Sequence, residues 1–159
     1  RRGMTSQTVL ADAIDAVYDL LAADVTLNAI AGLKVFDGPA ITDRAREVEV
    51  WIGATGLDDE GISASITSVI VGFDDERDEA LDIFCAIWAI GGSTNMRTRR
   101  RKVADAYDAI AAAVLAWNPT TLAASATAEI SASELRQMQT PDGAAAVQPF
   151  TVRIMGYWS

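Results

Sequence analysis

Residues 78–117 constrain this chain more than any other stretch: a long apolar strand runs through Gly91 and Gly92 into a basic helix. In the strand, Leu81, Ile83, Cys85, Ile87 and Ala89 point one way and Phe84, Ala86, Trp88 and Ile90 the other, because strand side chains alternate between faces. A strand apolar on both faces lies centrally in a sheet or has its second face covered by a partner chain. Nothing in it forms a catalytic set. The stretch favours sheet building and assembly over substrate binding.

The remaining elements follow from periodicity. Over residues 6–23, Leu10, Ala13, Ile14, Val17, Leu20 and Leu21 recur at helical spacing, with Asp12, Asp15 and Asp19 off that stripe. Asp24 is placed to N-cap a short helix over 25–31, which Gly32 can end. Residues 33–36 form a short strand, and Asp37, Gly38 and Pro39 have turn chemistry. In 47–52, Val48, Val50 and Ile52 face inward, with Glu47, Glu49 and Trp51 outward. Residues 65–71 are a further strand, so 47–52, 65–71 and 78–90 are expected to form a three-stranded antiparallel meander. A second long helix over 94–117 carries Val103, Ala106, Tyr107, Ile110, Val114 and Trp117 on one stripe and stops at Asn118-Pro119. Residues 124–138 and 146–157 form a hairpin about a Pro141-Asp142-Gly143 turn, with Phe150, Val152, Ile154 and Trp158 on one side of its second arm. The expected fold class is α+β: an antiparallel sheet of four to five strands with two long helices packed on one face.

At 159 residues the chain fits one domain, residues 1–159, with 1–4 a candidate leader and Met4 a candidate natural start. No stretch approaches the roughly 18 uninterrupted apolar residues of a spanning helix. The formal net charge of −9, from 22 acidic and 13 basic residues, opposes general nucleic-acid binding, which depends on Lys and Arg neutralising phosphates. It suits a soluble protein, or a channel wall along which a polyanion slides without sticking. The single cysteine, Cys85, excludes an intrachain disulfide, fits a reducing cytoplasm, and sits where a small buried hydrophobe is needed.

The chain has no histidine, so the usual general base near neutral pH and the commonest metal ligand are missing. One cysteine cannot build a thiolate zinc site. Neither phosphate-cradling glycine motif occurs. No enzyme activity, catalytic residue, metal or cofactor is therefore expected. Asp74, Glu76 and Asp78 have the spacing of calcium ligands, but Glu79 stands where a calcium loop needs glycine. The acidic runs Asp58, Asp59, Glu60 and Asp74, Asp75, Glu76 read instead as solvated turns or as charge patches for a partner.

Arg97, Arg99, Arg100, Arg101 and Lys102 fall in the first turns of the second long helix. There they oppose the helix dipole and repel one another. Three readings remain: a solvated face, contact with phosphates, or ion pairs with an acidic surface of a neighbouring subunit. Of the four tryptophans, Trp117 fits the core, while Trp51 and Trp158 near strand ends are candidate interface anchors.

The order helix, Val35-Phe36-Asp37-Gly38-Pro39, the strand 48–52, and Asp82-Ile83-Phe84-Cys85-Ala86-Ile87 resembles siphophage tail-terminator (head–tail neck) proteins of actinobacterial-phage type. The Arg-rich helix start and the turn 137–143 leading into 147–154 share that resemblance, which spans roughly residues 5–157. It implies a structural virion protein of the tail and neck, assembled in the host cytoplasm, that performs no chemistry. It also implies a homo-oligomer, a hexameric ring, that caps the tail tube and joins it to the head-side connector or stopper protein. Genomic DNA would pass through the lumen without sequence-specific binding. Loops 53–61 and 74–79 and the turn 141–143 would be contact elements by analogy. A head-completion or stopper neck protein is the nearest alternative, and a nucleic-acid-binding module using residues 97–102 is a more distant one.

Overall fold

The structure, a computed structural model, describes residues 6–39, 47–57, 61–70, 77–90, 95–123, 125–141 and 143–158. In chain order the elements are α1 (Ser6–Ala23), α2 (Val25–Asn28), β1 (Leu33–Asp37), β2 (Val48–Ile52), β3 (Ala64–Ile70), β4 (Arg77–Ile90), α3 (Met96–Ala116), β5 (Thr127–Ala132), β6 (Arg136–Thr140) and β7 (Gly143–Trp158).

The doubly apolar strand is the spine. β4 pairs antiparallel with β7 along its whole length, from Arg77↔Trp158 to Ile90↔Ala145. Its other edge is shared: β2 pairs with residues 85–89 and β3 with residues 77–83. β2 and β3 thus lie end to end, and the Phe84 N–H donates to the Ser63 carbonyl at their junction. The far edge of β7 is divided likewise, with β5 opposite residues 150–155 and β6 opposite residues 143–147.

Three expectations need correction. The sheet has seven strands, in five lanes ordered β1, β2/β3, β4, β7 and β5/β6. The segments 53–63 and 133–135 each break one lane into two strands, which a count of alternating runs cannot anticipate. The expected meander does not form, because β2 and β3 both pair with β4 and not with each other. Nor is the sheet purely antiparallel: β1 runs parallel to β2, Leu33↔Val48 through Asp37↔Ile52.

The helix-covered face carries the core. Val48, Val50, Ile52, Leu81, Ile83, Cys85, Ile87, Val152 and Ile154 are fully buried there, with Phe150 2 % exposed. They meet Val9, Ala13, Val17 and Leu21 of α1 and Val103, Ala106, Ile110 and Val114 of α3. The α1 stripe is centred on Val9, Ala13, Val17 and Leu21, leaving Leu10, Ile14 and Leu20 at its margin. Tyr107 meets Phe150 edge-on at 6.4 Å. Each fully buried Val, Leu, Ile or Phe contributes about 1.5–3 kcal/mol. That outweighs the unfavourable charge order of α3, which has no acid in its first turn and no base in its last. Trp117 is the C-cap of α3 and packs half-buried on the core.

Local signals hold where capping chemistry sets them. The Asp24 carboxylate accepts from the Leu27 N–H at 2.9 Å, and Asn95 caps α3 by accepting from the Thr98 N–H at 3.3 Å. α2 is shorter than its sequence pattern implies, ending at Asn28; Gly32, at φ 75°, turns the chain into β1. Thr140↔Gly143 closes the β6–β7 hairpin, and Asp142 of the expected turn lies outside the described residues.

Candidate subunit interface

The sheet face away from the helices carries Glu49 and Trp51 of β2, Phe84, Ala86, Trp88 and Ile90 of β4, and Met155, Thr151, Pro149, Val147 and Ala145 of β7. No helix lies over it among the described residues, yet Ala86, Ala145 and Val147 are fully buried. Trp51, Phe84, Trp88, Ile90 and Met155 are half-buried.

The two tryptophans are fixed from several sides. Trp51 and Trp88 have ring centroids 5.5 Å apart and planes tilted by 31°. Trp51 Nε1 donates to Glu49 Oε2 at 3.0 Å, two residues earlier on the same strand face. Trp88 Nε1 donates to the Thr55 carbonyl at 3.0 Å. The excursion after β2 therefore folds back over this face, and Gly56 (φ 71°) sits against the Trp51 ring. Glu49 is only 6 % exposed, and the indole donor supplies the hydrogen bond its buried carboxylate requires. Trp51 is thus a rigid, half-exposed aromatic, the form in which an aromatic anchors an interface at little entropic cost. Further along the face, Arg153 Nε and Nη2 grip Asp82 Oδ1 and Oδ2 at 2.7 and 2.8 Å. That pairing raises the Arg153 pKa.

The basic helix start does not act as one unit. Arg97 and Arg101 are exposed. Arg100 Nη1 donates to Gln137 Oε1 of β6 at 3.1 Å, tying the helix to the hairpin. Lys102 pairs with Glu47, and that hydrogen bond and charge hold the Glu47 carboxyl below its ordinary value, with Arg99 adding a smaller pull. Arg99 itself is 7 % exposed, and its Nε and Nη1 have no hydrogen-bond partner. The run of five cations suggests a surface cluster, and Arg99 departs from it. Its spacing to Val103, Ala106 and Ile110 (i+4, i+7, i+11) was the signal that it lies on the buried stripe.

Asp58, Asp59, Glu60, Asp74, Asp75 and Glu76 lie outside the described residues. Trp158 is the last residue of β7, opposite Arg77, and its side chain lies outside them too. The structure therefore brings Trp51, Trp88 and Glu49 together on the open sheet face, and Arg99, Lys102 and Glu47 at the start of α3. Among the described residues no group of three or more acidic or cysteine side chains is placed to hold a metal ion. Among the same residues no helix is long and apolar enough to cross a membrane. Burial pushes the Cys85 thiol up to about 12, as suits a packing residue and not a nucleophile.

No family model matches the sequence, and no curated protein sequence matches it. A solved structure does share its fold. A chain in the virion of a native gene transfer agent particle superposes with a TM-score of 0.58 at 12 % identity, over 92 % of this chain and 94 % of that one.

Proposed function

We propose that this chain is a structural virion protein, a tail terminator whose copies form a hexameric ring that caps the tail tube and joins it to the head-side connector. The observation that carries the reading is the end-to-end likeness to a chain of a virion particle, 92 % of one and 94 % of the other. So complete an overlap supports a shared architecture over the whole chain and not a common substructure inserted in a larger protein. The short-element pattern that resembles tail terminators supports the finer assignment.

In this reading the work is done by surface complementarity and not by chemistry. A ring needs a heterologous contact that closes, in which one patch of each copy meets a different patch of the next. The exposed Arg97 and Arg101 supply a basic patch, and the acidic runs at 58–60 and 74–76 supply its opposite. Trp51, held by Glu49 and Trp88, is the aromatic anchor, and Trp158 ends the longest strand as a second. The excess of acidic residues lets genomic DNA pass through the lumen without sticking. Partners are further copies of the chain, the tail tube protein and the connector.

The test is the solution mass of the purified chain, alone and mixed with its tube protein. A closed ring of one stoichiometry, or a ring that forms on tube ends and stops their growth, is expected. A chain that stays monomeric and never joins the tube end overturns the reading.

A further inference from the structure

The two long helices divide one face of the sheet between them. α1 lies against β1, β2, β3 and β4, and α3 against β4, β7 and β5. α1 therefore sits toward the β1 edge and α3 toward the β5/β6 edge. They run in opposite directions. In α1, Ile14 lies beside Gly53, just past the end of β2, and the helix leads on through α2 into Leu33, opposite Val48 at the start of β2. α3 begins at that same end of the sheet, where Lys102 pairs with Glu47 and Arg100 hydrogen-bonds to Gln137.

The exposed charges near this end are of opposite sign on the two helices. α1 (Ser6–Ala23) holds Asp12, Asp15 and Asp19 and no cation, and Asp15 and Asp19 are exposed. Arg97 and Arg101 are exposed on α3. In each helix the charge adds to the dipole where the opposite sign would offset it. Asp19 approaches the negative C-terminal end of α1, and Arg97 stands in the positive first turn of α3. Among the described residues the ion pairs are Lys102 with Glu47 and Arg153 with Asp82, and Asp15, Asp19, Arg97 and Arg101 belong to neither. One subunit thus carries an acidic helix on one side of its sheet and a basic helix start on the other.

We infer that Arg97 and Arg101 of one copy pair with Asp19 and Asp15 of the next, α3 of the first packing beside α1 of the second. This rests on the ring reading and names a contact within it. Copies set side by side about an axis along the strands bring the β1 edge of one to the β5/β6 edge of its neighbour. α1 and α3 then meet in the helix layer. Such a rotation keeps the two helices antiparallel, which sets Asp19 against Arg97 and Asp15 against Arg101. Both pairs are spaced i, i+4, about 6 Å along the helix, so the two contacts form together. Each copy gives a different helix to each neighbour, as a closing heterologous contact requires.

The experiment is charge reversal and its rescue. Asp15→Arg with Asp19→Arg, Arg97→Glu with Arg101→Glu, and all four changes together are compared with wild type by sedimentation and thermal melting. Binding to duplex DNA at low salt is measured alongside. All four side chains are exposed, so the melting temperatures should hold. Either double variant should associate at least about tenfold more weakly, because like charges then face each other across the contact. The fourfold variant should recover association, since the signs are exchanged and remain opposite. Asp15→Asn with Asp19→Asn, which keeps side-chain shape, should weaken association in the same direction. If both α1 variants associate like wild type, the arginines meet another surface, and the inference fails while the ring reading stands. If the double reversals weaken association and the fourfold variant does not recover it, the helices do not touch and the inference fails likewise. If the α3 variant associates normally and loses DNA binding, its occupant is a phosphate and the inference is overturned. If wild type itself stays monomeric with and without its tube protein, the ring reading fails and takes this one with it.

Discussion

Trp51 and Trp88 lie with ring centroids 5.5 Å apart on the open face of the sheet, and each indole N–H is tied down, one to Glu49 and the other to the Thr55 carbonyl. This pairing turns two flexible side chains into a fixed platform and ties the segment after β2 to the strand it leaves.

Gly56 is the most exacting position in that arrangement. Its φ of 71° is one that side-chain-bearing residues rarely adopt, and an added Cβ would come within 2.6 Å of Trp51 Cζ3. The ring cannot swing clear without losing its bond to Glu49 and its contact with Trp88. Gly56→Ala should cost roughly 1–3 kcal/mol, combining backbone strain with overpacking. Thermal melts read the loss, and the near-ultraviolet circular dichroism of the tryptophan pair should weaken with it.

Cys85 makes a signed prediction for pH. Its thiol is fully buried and its pKa is raised from 9.0 to about 12, chiefly by burial, with the Gly53 backbone hydrogen bond opposing. Folding therefore favours the protonated form. Its contribution to stability is intact below about pH 9 and is lost as pH rises toward 12, where the unfolded chain has already released the proton. The difference in stability between wild type and Cys85→Ala should shrink, or change sign, across that interval. The native thiol should resist aromatic disulfide reagents at neutral pH and react on denaturation.

Glu47 tests the electrostatics around the start of α3. Its pKa is lowered first by Lys102, through a hydrogen bond and charge, and last by Arg99. Lys102→Met should raise the Glu47 pKa, read by carboxyl carbon resonances, by more than Arg99→Met does. A lowered carboxyl pKa stabilises the fold above the unfolded value of 4.5 and loses that effect as pH falls through the folded value. Lys102→Met should therefore flatten the acid limb of the stability curve.

Much of this architecture was legible in the chain. Apolar residues on both faces of β4 marked it as the spine, since a strand apolar on both sides must be covered on both. The Asp24 cap and the closing of a hairpin before Gly143 announced themselves because capping and turn chemistry are local. The pairing of strands was not legible. Alternation says that a segment is a strand but not which edge it joins, so β2 and β3 read as meander neighbours when they share one lane. The parallel β1–β2 pair was hidden for the same reason. Arg99 was obscured by its company: four other cations made a surface patch the natural reading, although its spacing placed it with Val103 and Ala106.

Arg97 and Arg101, exposed on α3, separate assembly from folding. Replacing both by glutamate puts a negative charge in the first turn at position 97, worth about 0.3–1 kcal/mol in favour of the helix, and removes like-charge repulsion at 101. The melting temperature should hold or rise. Self-association should weaken and become less sensitive to salt, which sedimentation at two ionic strengths would reveal.

The most direct measurement is electron microscopy of intact particles in which this chain carries a label. The account predicts a single ring of label at the head-proximal end of the tail tube, between its last ring and the connector. Label spread along the tube, on the capsid, or absent from particles would contradict it.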